Sequence, residues 1–291
     1  MLNHLGKTIK ELRQSLGYTQ KEFAKDICSQ SQISKIENGE ISPYVHTLVQ
    51  MALKLGVEPG FLIDILIKPQ YAFIQESRKA IRKEIRQKNY KEVRRLVNKL
   101  KNHPSFKHVH EQQFIKWHEG ILHYYLNDHF EHAILHLDTS LAMSPTNHLT
   151  PQDIEILNSK AIIYCEANKL DGGIAIFKNI LKIKDQSFME INPRIIVRVY
   201  YNLAKSLYEL DDNKESLFYC NKGVSFSLEI ESFYLLGELY FQSAVAHIKQ
   251  NNLDEAHHFF QLSKDVFQAK SDSKSVKKLD DYIKDLKTDT T

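Results

Sequence analysis

The sequence predicts an all-α protein: five short helices at the N-terminus, then a superhelical array of about five helix hairpins and a C-terminal capping helix. Three observations carry this. Apolar residues recur at three- and four-residue spacing almost from end to end, the period of a helix with one buried face. Only 10 glycines and 7 prolines interrupt 291 residues of 42% apolar content, which argues against disorder. From residue 75 onward, three columns of small or apolar residues repeat about every 40 residues. So long a chain exceeds one ordinary core. It divides into 1–67, a linker at 68–74, the array at 75–268, and a terminal helix and tail at 269–291.

In the first segment Leu5, Ile9, Leu12 and Leu16 form a helical stripe that Gly17 closes. Two short helices then meet at a tight corner. Thr19-x-x-Glu22 and Ser29-x-x-Gln32 are both capping boxes, in which a hydroxyl and a Glu or Gln side chain satisfy free backbone N–H groups. Phe23, Ala24 and Ile27 give the first helix an apolar side, and Ile33 and Ile36 give one to the second. Asn38-Gly39 offers a residue able to take positive φ where that second helix stops. Pro43 begins a fourth helix, with Val45, Leu48, Val49, Ala52 and Leu55 inward and Gly56 as its stop. Pro59 opens a fifth, with Phe61, Leu62, Ile65 and Leu66 apolar.

The second helix of the close pair turns Gln30, Ser31, Ser34 and Lys35 outward. Short amide and hydroxyl side chains near a helix N-terminus reach base edges in a major groove, and a lysine can meet a phosphate. The pair reads as a helix-turn-helix, and double-stranded DNA as a partner. Net charge gives no support, because residues 1–66 carry seven Lys/Arg and seven Asp/Glu. Attraction must come from local clusters such as Lys7, Lys10, Arg13 and Lys35, and from pairing two copies. The segments YTQKEFA and ISKIENG, with five helices in order, resemble the XRE-type, lambda-repressor-like domain over residues 5–66. That resemblance implies Gln30, Ser31 and Ser34 as base readers, with Gln20 and Lys35 as backbone contacts. The corner is one residue shorter here than in many relatives.

Lys68-Pro69-Gln70 reads as a breaker within the linker. Beyond it, the residue at the crossing of each helix pair recurs as Ile81, Ile121, Ala161, Ala204 and Ala244, at intervals of 40, 40, 43 and 40. Twelve residues after each come Val93, Ala133, Gly173, Ser216 and Ala256; four later come Val97, Leu137, Phe177, Cys220 and Phe260. Insertions are expected at 144–152 and 185–193, a capping helix at 275–286, and fraying in the tail KTDTT. The array resembles tetratricopeptide repeats, best in the second hairpin through Trp117, Gly120, Tyr124, Ala133 and Pro145. Its period is longer than the usual ~34 residues.

Stacked hairpins curl so that the first helix of each pair lines an inner wall. Counted from the aligned column, wall positions include Arg82 and Arg86, then Asn158, then Tyr201, Asn202 and Lys205, then Glu238 and Gln242. Amides among aromatics and aliphatics suit an extended peptide, because each amide offers a donor and an acceptor to its backbone. Asn158 and Asn202 are the leading candidates. Residues 76–101 hold eleven Lys/Arg against three Asp/Glu. Arg82, Arg86 and Lys88 could there attract a peptide carboxylate; a DNA phosphate contact and a solvated face are the other readings.

Other chemistries find little footing. His129, His132 and His136 share a helix face, with His118 and His123 one arm away, but no spaced Cys or carboxylate completes a metal set. No phosphate-gripping glycine loop and no nucleophile elbow is present, so neither an enzyme nor a cofactor is expected. Cys28, Cys165 and Cys220 suggest reduced thiols in a cytoplasm, with a redox role for Cys28 as an alternative. No apolar run approaches the ~20 residues of a membrane span, and MLNHLGKTIKELR lacks the apolar core of a signal peptide.

A DNA-reading domain fused to such an array resembles the RNPP family of Gram-positive quorum-sensing regulators. The segments QKEFAKDICSQSQISKIENG, RQKNYKEV and VYYNLAKSLYELDDNKESL carry the resemblance nearly end to end. It implies a homodimer that binds a short re-imported signalling peptide, reads a palindromic operator and activates transcription. Peptide contacts carried over by motif fall on Lys88, Asn158, Asn202 and Gln242. Two rival functions share the scaffold: a repressor whose repeats bind a protein partner, and a redox- or metabolite-responsive regulator.

Overall fold

Both capping boxes form. In the computed structural model, which describes residues 2–144, 149–186 and 191–288, the Thr19 side chain accepts from the Glu22 amide while Glu22 accepts from Thr19 N at 2.8 Å. Ser29 and Gln32 repeat the arrangement. The first helices are α1 (Leu2–Ser15), α2 (Gln20–Ala24), α3 (Gln30–Glu37), α4 (Val45–Lys54) and α5 (Pro59–Arg86). Helix α2 stops three residues before Ile27, because Asp26 takes φ 68° and turns the chain into the corner. Lys54 secures that end, its Nζ donating to the carbonyls of Glu22 and Lys25 at 2.8 and 2.7 Å. Gly39, at φ 72°, ends α3 as the sequence indicated. Leu5, Ile9, Phe23, Ile33, Met51 and Leu62 are fully buried beneath these helices. Val45 departs from the expected inward face: it opens α4 at the surface, and Thr47 and Met51 are buried instead.

The chain forms two compact units, residues 1–96 with 102–106, and 97–101 with 107–291. The stretch 68–74, expected to be a linker, is helical. Helix α5 runs without a break through Lys68-Pro69-Gln70, and the division falls beyond it. A proline inside a helix removes one hydrogen bond and crowds one carbonyl, which buried apolar faces on both sides can outweigh. Those faces exist: Leu62 and Ile65 before the proline, and Ile74 and Ile81 after it, are all buried. Phe73 lies against His103 in a tilted contact, ring centroids 4.4 Å apart, and meets the edge of Phe106 in the short 3-10 turn Pro104–Phe106, all within the first unit.

Helix α6 (Tyr90–Lys101) follows α5. Then come α7 (Val109–Asn127), α8 (Phe130–Ala142), α9 (Pro151–Glu166), α10 (Leu170–Gln186), α11 (Pro193–Glu209), α12 (Asn213–Glu229), α13 (Leu236–Lys249), α14 (Leu253–Ala269) and α15 (Ser273–Thr288). No strand occurs among the described residues. Every residue of the three repeating columns is buried, from Ile81, Val93 and Val97 to Ala244, Ala256 and Phe260. Helices α7/α8, α9/α10, α11/α12 and α13/α14 pair as hairpins, and α15 packs on α14. The first helices of successive pairs, α7, α9, α11 and α13, also lie directly side by side. Gln113 ties α7 to α9, donating to Asp153 Oδ1 and accepting from Gln152, both at 2.6 Å. Pro145, residues 187–190 of the 185–193 insertion and the end of the tail lie outside the described residues.

Candidate nucleic-acid and peptide interfaces

The N-terminus of α3 is arranged so that its outward side chains are free of capping duty. Gln32 serves the capping box, which leaves Gln30, Ser31 and Lys35 exposed on one side, with Ser34 half-buried beside them. Gln20, which opens α2, is half-buried and spans the two helices. Its Oε1 accepts from Gln30 Nε2 at 2.8 Å, and its Nε2 donates to Glu37 Oε2 at 2.9 Å. Glu37 in turn holds Arg13 through two parallel bonds, one of them 3.0 Å, while Arg13 Nη1 also donates to the Tyr18 carbonyl. Both members of the pair are buried, at 6% and 5% exposure. Arg13 is therefore withdrawn from the expected cationic cluster, since a guanidinium enclosed by a carboxylate cannot reach a phosphate. The sequence reading missed this network. Its one signal is the Arg at the buried edge of the Leu5/Ile9 stripe.

In the second unit the wall residues fall on consecutive first helices: Asn158 on α9, Tyr201, Asn202 and Lys205 on α11, and Glu238 and Gln242 on α13. Asn158 is 2% exposed and Gln242 5%. Asn158 Oδ1, Asn202 Nδ2, Gln242 Nε2 and Glu238 Oε2 are shielded from solvent and have no hydrogen-bond partner among the described residues. Buried polar atoms are nearly always paired, and each unpaired one costs ~1–3 kcal/mol. Ile162, Glu166, Asn202 and Lys205 line one cavity of about 100 Å³, together with Cys165 and Phe177. Lys205 leans toward Glu209 at 3.6 Å. Burial, reinforced by the charge of Glu238, pushes the Tyr201 phenol up to about 12.

Arg82, Arg86 and Lys88 belong to the first unit. Arg82 is half-buried, Arg86 exposed, and Lys88 exposed at φ 56° in the turn between α5 and α6. The thiols are poorly disposed to react. Burial pushes the Cys28 and Cys165 thiols up, and Cys220 up to about 12. Among the described residues no cluster of three His, Cys, Asp or Glu side chains is placed to hold a metal ion. No described helix is long and apolar enough to cross a membrane.

Comparison with known proteins sets this geometry in a family. Crystalline Bacillus thuringiensis PlcR in complex with the peptide PapR7 and DNA is 31% identical, with a TM-score of 0.77 over 95% of this chain and 99% of that one. Apo PlcR is 29% identical at a TM-score of 0.69, covering 95% and 98%. The Streptococcus dysgalactiae SHP pheromone receptor Rgg2 shares the fold at 16% identity and a TM-score of 0.64, over 97% and 99%. No curated protein sequence matches. Residues 9–62 match a helix-turn-helix family and residues 78–280 the RNPP family C-terminal domain. With that domain spanning well over half of its length, and PlcR aligned nearly end to end, the chain belongs to the RNPP family.

Proposed function

We propose that the chain is a cytoplasmic, homodimeric transcriptional activator that reads a palindromic DNA site and is controlled by a short signalling peptide. The carrying observation is the row of unpartnered amide atoms on α9, α11 and α13, at Asn158, Asn202 and Gln242. An extended peptide supplies what they lack, a backbone N–H and C=O at regular intervals. Packed helices lie ~8–10 Å apart, so the row spans roughly 16–20 Å. At ~3.3 Å per extended residue, that length matches about five or six peptide residues. Among its relatives, PlcR is known in complex with both a peptide and DNA, which supports the same pairing of ligands here. Gln30, Ser31 and Ser34 would read bases, and Gln20 and Lys35 would contact phosphates. By family correspondence, Lys88 joins the peptide contacts, with Arg82 and Arg86 as further basic candidates.

Control follows from linkage. Peptide alters DNA affinity only as far as it binds the DNA-competent dimer better than the other form, and moving a 1:99 equilibrium to 99:1 needs ~10⁴-fold preference. The test is selection of duplexes from a random DNA pool by the full chain, with and without pooled synthetic heptapeptides. Asn202→Ala should abolish the peptide response and keep the fold and any peptide-free DNA binding. An undiminished response in that variant would defeat the groove assignment.

A further inference from the structure

Glu238 is the one acid among the unpartnered groups of the wall, and it is unlike the amides around it. It lies in the first turn of α13, where the helix dipole favours a negative charge. That effect asks only for proximity and operates on exposed side chains, so it leaves the shielded Oε2 without a donor unexplained. A carboxylate accepts through about four lone-pair directions, and a buried oxygen with none filled is a standing cost.

The cations of the adjacent helix α11 are engaged elsewhere. Arg198, one helix away, gives Nε and Nη2 to the Tyr234 hydroxyl at 3.0 and 2.7 Å, and Arg194 also lies over that ring. Lys205 leans to Glu209 at 3.6 Å. Among the described residues no Lys, Arg or His pairs with Glu238. One turn along the same face of α13, Gln242 presents an unpartnered Nε2 donor while 5% exposed. An unfilled anionic acceptor therefore sits one helical turn from an unfilled neutral donor. The complement is a cation with a carbonyl close behind it, as in a peptide's first residue or beside a basic side chain.

We propose that Glu238 and Gln242 form a cation-accepting subsite of the groove, so that the peptide this chain recognises carries a positive charge there, either an α-ammonium or a Lys/Arg side chain. The proposal rests on the peptide-groove reading and specifies its ligand. The Glu238 carboxylate takes the charged N–H donors and Gln242 Nε2 takes the carbonyl.

The test uses the full chain and four synthetic random heptapeptide pools, with free or acetylated N-termini, and with or without Lys and Arg. Retained peptides are identified by mass spectrometry. The wild-type chain should retain cation-bearing peptides about tenfold or more over the acetylated, Lys/Arg-free pool, the advantage of a charge-assisted hydrogen bond. Retention that follows the free amine assigns the α-ammonium, and retention that follows Lys/Arg assigns the side chain. Glu238→Gln, of nearly the same shape, should bring the pools to parity, and Glu238→Lys should shift retention toward Asp- and Glu-containing peptides. An unchanged preference in Glu238→Gln would overturn the subsite. So would charge-indifferent retention that Asn202→Ala still abolishes, an outcome that leaves the groove standing. Retention of no peptide from any pool would overturn the groove and the subsite together.

Discussion

Gln30 Nε2 donates to Gln20 Oε1 at 2.8 Å, joining the first residue of α3 to the first residue of α2. Without a tether, an exposed glutamine samples several rotamers, and ordering it on a base edge costs up to ~2 kcal/mol of side-chain entropy. The Gln20 contact removes part of that freedom before DNA arrives. Gln30→Ala is expected to narrow the margin between the cognate site and random duplex by ~1–3 kcal/mol, measured by competition binding. Gln20→Ala should lose part of the same margin, and the double variant should lose less than the sum, since both changes break one unit. A uniform loss on every sequence would instead make Gln30 a phosphate contact.

Behind that tether lies the ion pair. Glu37 accepts from Arg13 and from Gln20, so one carboxylate serves both the core and the surface proposed to meet DNA. Glu37→Ala should destabilise the N-terminal unit by ~3–5 kcal/mol, because it leaves a buried guanidinium uncompensated. The double variant Arg13→Met/Glu37→Leu should recover most of that loss, as apolar replacements of buried pairs commonly do. DNA affinity should not recover with it, because Gln20 has lost its acceptor. Urea unfolding and DNA binding on the same preparations separate the two effects.

The contrast between these residues and the repeats shows where the sequence was informative. The three columns were legible because a helix crossing admits only small or well-fitted side chains, and the requirement recurs at a fixed interval. Both capping boxes were legible because donor and acceptor lie three residues apart. Arg13 and Glu37 are 24 residues apart, and an arginine on a helix is by default a surface cation, so their union left no local trace. Pro69 misled for a related reason. Its local preference is to end a helix, and only burial on both sides of it, at Leu62 and Ile74, keeps α5 continuous. Register puts Asn158, Asn202 and Gln242 on the first helices of successive hairpins, but register alone cannot reveal that their polar atoms lack partners.

His123 on α7 faces His136 on α8 with ring centroids 4.4 Å apart, and His132 lies 5.9 Å from His123. Burial, then neighbouring positive charge, holds both His123 and His136 below the ordinary histidine value of 6.5. Glu119, 3.6 Å from His136 Nδ1, acts in the opposite direction, but Lys101 already engages it at 2.6 Å and Lys116 lies 3.7 Å away. A depressed histidine pKa means that the unfolded chain binds protons first. The stability of this hairpin should therefore be full above about pH 6.5, fall as pH drops toward the folded-state pKa, and level off below it. His136→Gln should shrink the difference in melting temperature between pH 7.5 and pH 5.5 in matched buffers. An equal difference in both proteins would place the acid sensitivity elsewhere.

Gly6 sets how closely α1 can lie on α3. A Cβ built there would stand 2.3 Å from the Ile36 carbonyl oxygen and 2.6 Å from that of Glu37, backbone atoms that cannot turn aside. Helix propensity alone would favour alanine over glycine by ~1 kcal/mol. The clash opposes it, because α1 must lift off the core that Leu5, Ile9, Ile33 and Ile36 close, at ~1–3 kcal/mol or more for overpacking. Gly6→Ala should therefore be destabilising overall. It should also weaken DNA binding, because the displaced carbonyls belong to the C-terminal turn of the helix that carries Gln30. Gly60 provides the control: it lies in the first turn of α5 with no atom within 4 Å of an added Cβ. Gly60→Ala should be neutral to stabilising by up to ~1 kcal/mol, reading out propensity with no clash. Thermal melting of the two variants beside the wild-type chain decides the point, and a Gly6→Ala protein as stable as Gly60→Ala would show that α1 is not held against α3 at this distance.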